Sequence, residues 1–306
     1  MGRGPVSSNE ITQIYVDLVE DIRIREGEIQ EELPVDTTAE IHTHLTEIVE
    51  DWETGRKSLR TIPVCNAYAR QLEGPIDDSL KRLLTGLDAS VNVLDDIIDT
   101  RELSPETRIA LTTNVAFSSV LLAENCPSDR RNELAEELRD YFTILFQIPL
   151  VEQQLCSSLA QSNDQSEQRR AAEQMYAYRS RDIDGFVRIS AKFYDLDPKE
   201  MQQLLHDLRA YRCRHLLFKD IRDVKRDLVD EDLTPIIQLL QCHESIDDIT
   251  NVIDDLYLRF TYSKKGDDIY GDILREFENQ PDDIHSTLRE LKAEVSSENG
   301  LLSHLD

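Results

Sequence analysis

Apolar residues recur every three or four positions along almost the whole of this 306-residue chain. That is the spacing of helices with one buried face. ITQIYVDLVEDI predicts a first helix capped by Asn9, and TTAEIHTHLTEIVEDW a second. LRTIPVCNAYARQLEG predicts a third, ended by Gly74. IDDSLKRLLTGLDASVNVLDDIIDT predicts a long fourth, amphipathic at first and then nearly all apolar. Ser104, Pro105 and Glu106 give a start signal for a helix over SPETRIALTTNVAFSSVLLAENC. SDRRNELAEELRDYFTILFQIPLVEQQLCSSLAQ follows, with a bend expected at Pro149, then QSEQRRAAEQMYAYRSRDIDGFVRISAKFY. DPKEMQQLLHDLRAYRCRHLLFKDIRDVKRDL has Pro198 in its first turn, and LTPIIQLLQ, SIDDITNVIDDLYLRFTYS and DDIHSTLRELKAEV complete the set. SNDQSEQ, residues 162–168, predicts the most polar loop. No alternating strand pattern, repeat or long linker is visible. The expected fold class is all-α, a single domain over residues 1–306 built as a bundle of about ten or more helices.

Charge narrows the partners. The chain carries 61 acidic against 34 basic residues, a formal net charge of −27. Duplex nucleic acid and anionic membrane would both be repelled. The excess reads as a solvated acidic coat of the halophilic kind, screened in a high-salt cytoplasm. Five Cys, at 65, 126, 156, 213 and 242, show no CxxC spacing and read as reduced thiols. The N-terminal stretch MGRGPVSSNEITQIYV does not read as a signal peptide, and no run of about 18 apolar residues suggests a membrane span. The expected location is cytoplasmic.

Against this background, LDDIIDT at Leu94 to Thr100 stands out. On a helix Asp95 and Asp99 lie about 40° apart, with Asp96 at their flank. LDASVNVL before them predicts burial, and buried carboxylates so close repel one another unless a cation joins them. An all-oxygen set suits Mg²⁺, which completes its shell with water and phosphate. FKDIRDVKRDL carries a second cluster, Asp220, Asp223 and Asp227, on one helical stripe about 125 residues later. Two such stripes on two helices of one bundle can face each other across a cavity and hold a diphosphate through several Mg²⁺ ions.

At these residues the chain resembles the class I isoprenoid synthases, the superfamily of trans-prenyl diphosphate synthases and terpene synthases. LDDIID resembles the family's first aspartate-rich motif. GRKSLRTIP, Gly55 to Pro63, resembles the GGKRxRP motif that holds isopentenyl diphosphate, with Lys57 and Arg60 at its Lys and Arg positions. FKDIRDVKRDL resembles both the FQxxDDxxD region of prenyl synthases, through Asp220 and Asp223, and the LRDVxxD run of phytoene and squalene synthases, through Asp223 and Asp227. DLVDEDLTPII resembles a worn DLxxGKxTLP run. The likeness covers roughly residues 50–240. It departs from the family where the double Arg after the first motif is missing, with only Arg101 and Arg108 nearby, and where Lys219 stands before Asp220.

The resemblance implies a helical bundle around a central cavity. Mg²⁺ held by Asp95, Asp96, Asp99, Asp220, Asp223 and Asp227 would neutralise the leaving diphosphate of an allylic substrate. The cation would form among residues such as Ala89, Val93, Ala116 and Phe117, and Lys57 and Arg60 would hold isopentenyl diphosphate. Arg179 and Arg181 lie about 40 residues before the second motif, where the family carries a diphosphate-sensing Arg; a helix pair with Asp182 or Asp184 is the other reading. Lys192 is a further phosphate ligand in reach. RFTYSKKGDD offers Arg259, Tyr262, Lys264 and Lys265 as a lid over the diphosphate or as a surface patch.

Prenyl transfer leads, because Lys57 and Arg60 are kept and the chain is poor in the aromatic faces that steady cyclase cations. A terpene cyclase or a head-to-head synthase is the alternative. A reading of another class is a non-catalytic subunit of a hetero-oligomeric synthase. The family implies a homodimer or such a hetero-oligomer. Whatever the chemistry, the acidic coat has one consequence of its own. The midpoint of thermal unfolding should rise as KCl is raised from about 0.1 M to molar levels, as circular dichroism would show.

Overall fold

The computed structural model describes residues 5–32, 41–54, 57–99, 112, 119, 123–161, 164–229, 234–242 and 245–297. The predicted helix over 104–126 falls almost wholly outside them. Among the described residues every regular element is helical, so the all-α expectation holds. None of these helices is long and apolar enough to cross a membrane. In chain order they are α1 Ser8–Glu32, α2 Ile41–Glu53, α3 Thr61–Gln71 and α4 Asp78–Asp99. Then come α5 Arg131–Leu145, α6 Ile148–Gln161, α7 Gln165–Arg179, α8 Asp184–Phe193 and α9 Pro198–Val229. α10 Pro235–Cys242, α11 Ile246–Arg259, α12 Asp272–Glu278 and α13 Ile284–Ser297 close the series.

Two of the boundaries that differ from the sequence reading have a local reason. α1 starts two residues early because Ser7 Oγ, not Asn9, accepts from the Glu10 N–H at 3.2 Å. α7 begins at Gln165, where the helix pattern predicts it, because Asp164 caps it by accepting from the Ser166 N–H at 2.8 Å. The long helix predicted across YRSRDIDGF is broken by a 3₁₀ turn at Ser180–Ile183. There Asp182 is buried and gripped by Arg212, whose Nη2 approaches Oδ2 at 2.6 Å. The Tyr141 hydroxyl donates to the Asp182 carbonyl at 2.6 Å, and its ring packs on Gly185. A Cβ at Gly185 would sit 2.5 Å from Tyr141 Cγ, so only glycine fits.

The chain forms two compact units, Met1–Ala135 with Ile189–Leu196, and Glu136–Arg188 with Asp197–Asp306. In the first, α1 packs on α2 through Tyr15 and Trp52, whose ring centroids lie 4.8 Å apart. Lys81 on α4 reaches Glu10 of α1 at 2.6 Å. The start of α3 is completed by another helix. Its first N–H groups lack intrahelical acceptors, and Arg60 at its cap offers no side-chain bond. Asp88 of α4, fully buried, accepts from the Thr61 N–H at 2.7 Å, the Thr61 hydroxyl at 2.6 Å and the Arg60 N–H at 3.2 Å. Burial raises the pKa of Asp88 from its ordinary value, with the Arg60 guanidinium and these donors pulling the other way.

In the second unit α9 is the spine. Leu217, Phe218, Ile221 and Val224 are fully buried in its core with Ile236 of α10 and Ile253 of α11. Replacing Asp88 by alanine in the first unit takes away a buried ion-pair partner of Arg60 and removes the cap of α3. The variant should lose about 3–5 kcal/mol of stability, read from urea unfolding at fixed KCl.

Candidate functional site

The last turns of α9 read KDIRDVKRD, Lys219 to Asp227. Ile221 and Val224 turn inward, and positions 220, 223 and 227 share a stripe on the helix surface. This is the most elaborated of the sequence-predicted clusters within the described residues. Asp220 is buried, and its Oδ2 accepts from Arg179 Nη1 at 2.6 Å and from the Tyr176 hydroxyl at 3.0 Å. Arg179 sits at the end of α7 and also meets Glu152 of α6, Nε to Oε1 at 2.7 Å. Burial works against the charge of Arg179, but the Asp220 and Glu152 carboxylates outweigh it and hold the guanidinium well above its ordinary pKa. Burial, and next to it the Asp220 charge, likewise lift the Tyr176 phenol well above its usual range.

Asp223 is paired twice, with Arg226 Nη2 at 2.8 Å and Lys219 Nζ at 3.5 Å. Asp227 is buried, and Arg226 Nη2 lies 3.3 Å from its Oδ1. Burial, then the charge of Asp220, push the Asp227 carboxyl up to about 6, with Arg226 opposing. Three carboxylates are thus answered by three side-chain cations.

The oxygen donors alone would suit a hard cation. In this arrangement each is already engaged by a guanidinium or ammonium group. Among the described residues no three His, Cys, Asp or Glu side chains gather into a group that could hold a metal ion. As arranged, the α9 stripe does not fit Mg²⁺ as its resident counter-ion.

The other expected site residues are placed as follows. Asp95, Asp96 and Asp99 close α4, but their side chains lie outside the described residues, as do Arg101, Ala116 and Phe117. Val93 and Ala89, about one and two turns before, are fully buried. Lys57 is half-buried and its Nζ donates to the Asn92 carbonyl at 3.3 Å. Arg60 is buried against Asp88 at 3.4 Å, so its charge is committed inside the first unit. Arg181 lies over the Tyr178 ring at 5.5 Å, and its Nε is 3.6 Å from Asp184, which Arg209 Nε also engages at 2.6 Å. Lys192 is 3.9 Å from Glu133. Arg259 pairs with Glu173 at 3.0 Å, and Lys264 is exposed.

The segment carrying Lys264 and Lys265 is tied at its base. Asp207 of α9 accepts from the Ser263 N–H at 2.6 Å, the Ser263 hydroxyl at 2.9 Å and the Tyr270 hydroxyl at 2.6 Å. Gly266 approaches so closely that a Cβ would lie 2.0 Å from Asp207 Oδ2.

Sequence reasoning missed Glu152 and Tyr176. Tyr176 carried a faint signal, one turn before Arg179 on the same helix. Glu152 stands alone in IPLVEQQL and gave none. Comparison with protein-family models, with curated proteins and with solved structures finds no match to this chain.

The raised pKa of Asp227 has a definite sign. Its folded value of about 6 lies above the ordinary 3.8, so the fold prefers the protonated acid. Stability from this group is therefore lost as pH rises from about 3.8 to about 6. Asp227→Asn should remove that loss and gain roughly 1–3 kcal/mol at pH 7, with little change near pH 4. Denaturant unfolding of both proteins at the two pH values measures it.

Proposed function

We propose that the chain is a Mg²⁺-dependent class I isoprenoid synthase that ionises an allylic prenyl diphosphate and transfers its prenyl group. One observation carries the reading. Arg179 and Asp220, singled out separately in the sequence for diphosphate chemistry and 41 positions apart, meet at 2.6 Å. A guanidinium held beside a carboxylate stripe, with Lys219 and Arg226 close by, is an arrangement suited to phosphoryl oxygens.

In this reading the bond between the allylic carbon and the diphosphate oxygen breaks heterolytically, and its electron pair leaves with the diphosphate. Arg179, Lys219 and Arg226 stabilise the departing negative charge. Tyr176 and Glu152 keep Arg179 oriented. Asp95, Asp96 and Asp99 would hold the metal, and a bound Mg²⁺ supplies Lewis-acid neutralisation of the leaving group. Lys57 remains the group for the diphosphate of a second substrate, since Arg60 is committed to Asp88.

A second reading, the non-catalytic subunit of a hetero-oligomeric synthase, is favoured by the internal neutralisation of all three α9 carboxylates. One assay separates the readings. Geranyl, farnesyl and geranylgeranyl diphosphates are incubated in molar KCl with Mg²⁺, with and without isopentenyl diphosphate. The expected result is a longer diphosphate formed only when isopentenyl diphosphate is present. Asp95→Ala should cut that rate by about 100-fold or more. Hydrocarbon or alcohol from the allylic substrate alone marks a cyclase or head-to-head synthase. No product in any mixture, from a folded chain, overturns the enzyme and leaves the subunit.

A further inference from the structure

The stretch Lys219 to Asp227 is unusual for this chain. In a protein with a net charge of −27 it carries four cations, Lys219, Arg222, Lys225 and Arg226, against three carboxylates. Arg222 is turned away, its Nη1 donating to the Asn279 carbonyl at 2.7 Å. Lys219 and Arg226 stay on the stripe. Arg226 uses one nitrogen, Nη2, for both Asp223 and Asp227. A guanidinium has five N–H donors in a fixed fork, and among the described residues its Nε and Nη1 meet no protein acceptor. Lys219 makes a single long contact of 3.5 Å through an ammonium that has three donors. The side chains of Lys219 and Arg226 are 27% and 48% exposed, so these remaining donors face water. Asp220 at 3% and Asp227 at 8% are far less exposed, and Asp223, which both cations engage, lies between at 21%. The stripe therefore has an acidic floor and a cationic outer layer.

We infer that Lys219 and Arg226 are the resident counter-cations of the α9 stripe, in the place of divalent metal, and that their outward donors bind the diphosphate group of the substrate directly. Each cation is bridged between a carboxylate below and a phosphoryl oxygen above. The carboxylates act as positioning groups for the two cations, and metal demand falls on Asp95, Asp96 and Asp99 alone. The inference rests on the diphosphate chemistry proposed above, but it makes a separate claim about which side of the α9 stripe the ligand meets.

The test uses the full chain in molar KCl. Inorganic diphosphate is titrated calorimetrically in the presence of EDTA against the wild type, Lys219→Gln and Arg226→Gln, with folding checked by circular dichroism. Binding by the wild type without metal, weakened roughly three- to tenfold in each variant, is expected. No binding without metal, or equal binding by all three, overturns the inference. Equal binding would mean that the two cations serve only to neutralise the carboxylates of the stripe.

A second readout counts bound Mn²⁺ by electron paramagnetic resonance. Asp223→Asn should keep the wild-type number of Mn²⁺ ions and their affinity to within about twofold. A loss of tenfold or more, or of one ion per chain, would make Asp223 a metal ligand and overturn the inference. The two claims fail separately. A chain that binds diphosphate through Lys219 and Arg226 but turns over no allylic substrate loses the proposed reaction and keeps this site. An active chain whose Asp223→Asn variant loses Mn²⁺ keeps the reaction and loses this site.

Discussion

Buried charge on a single long helix is the constraint on which the second unit depends. α9 carries Asp207, Arg212, Arg214 and Asp220 inside the protein. An unpaired ion there costs several kcal/mol, so each demands a partner. Each partner comes from a different part of the chain: Ser263 and Tyr270 for Asp207, Asp182 for Arg212, Glu278 for Arg214, Arg179 for Asp220. Apolar packing on α10 and α11 supplies the bulk of the burial, but it is indifferent to register. These pairings are not, because a shift of one residue along α9 would break all four. The 3₁₀ turn at 180–183, the fixed segment at 263–270 and the position of Arg179 all follow from that ladder.

Arg214 shows how much support one buried cation gathers. It meets Glu278 at 3.1 Å and lies over the Tyr257 ring at 4.0 Å and the Tyr262 ring at 4.9 Å. Both phenols hydrogen-bond the same Glu278. Two aromatic faces and a carboxylate thus replace the water that the guanidinium gave up. The same principle, applied near the surface, gives the α9 stripe its cationic layer.

The helices were readable where a hydrophobic face repeats. α4 and α9 were expected nearly at full length, because Leu, Ile and Val recur through them and Pro198 marks a start. α1 runs further than its apolar pattern, through the polar REGEIQEE, since nothing in that stretch opposes a helix except Gly27. The break before α8 was hidden because YRSRDIDGF keeps a helical rhythm. Its cause, Arg212, lies 30 residues away. In the candidate site, the Asp stripe was legible from spacing and Arg179 only through the family resemblance, whereas their mutual contact was not. Nor was the role of Arg60 legible, since its partner is Asp88, a lone acid in the apolar LDASV. A single charge in such a run is a usable signal, but it does not say which distant helix end it serves.

That loan of a cap has a consequence for the order of events in folding. α3 has eleven residues, too few to persist alone in water. Among the described residues its first turn is closed by a carboxylate 27 positions downstream. The α3 start therefore waits for a loop closure that brings α4 into place. The stability of α3 is thereby tied to that of α4, and a change that loosens one helix loosens the start of the other.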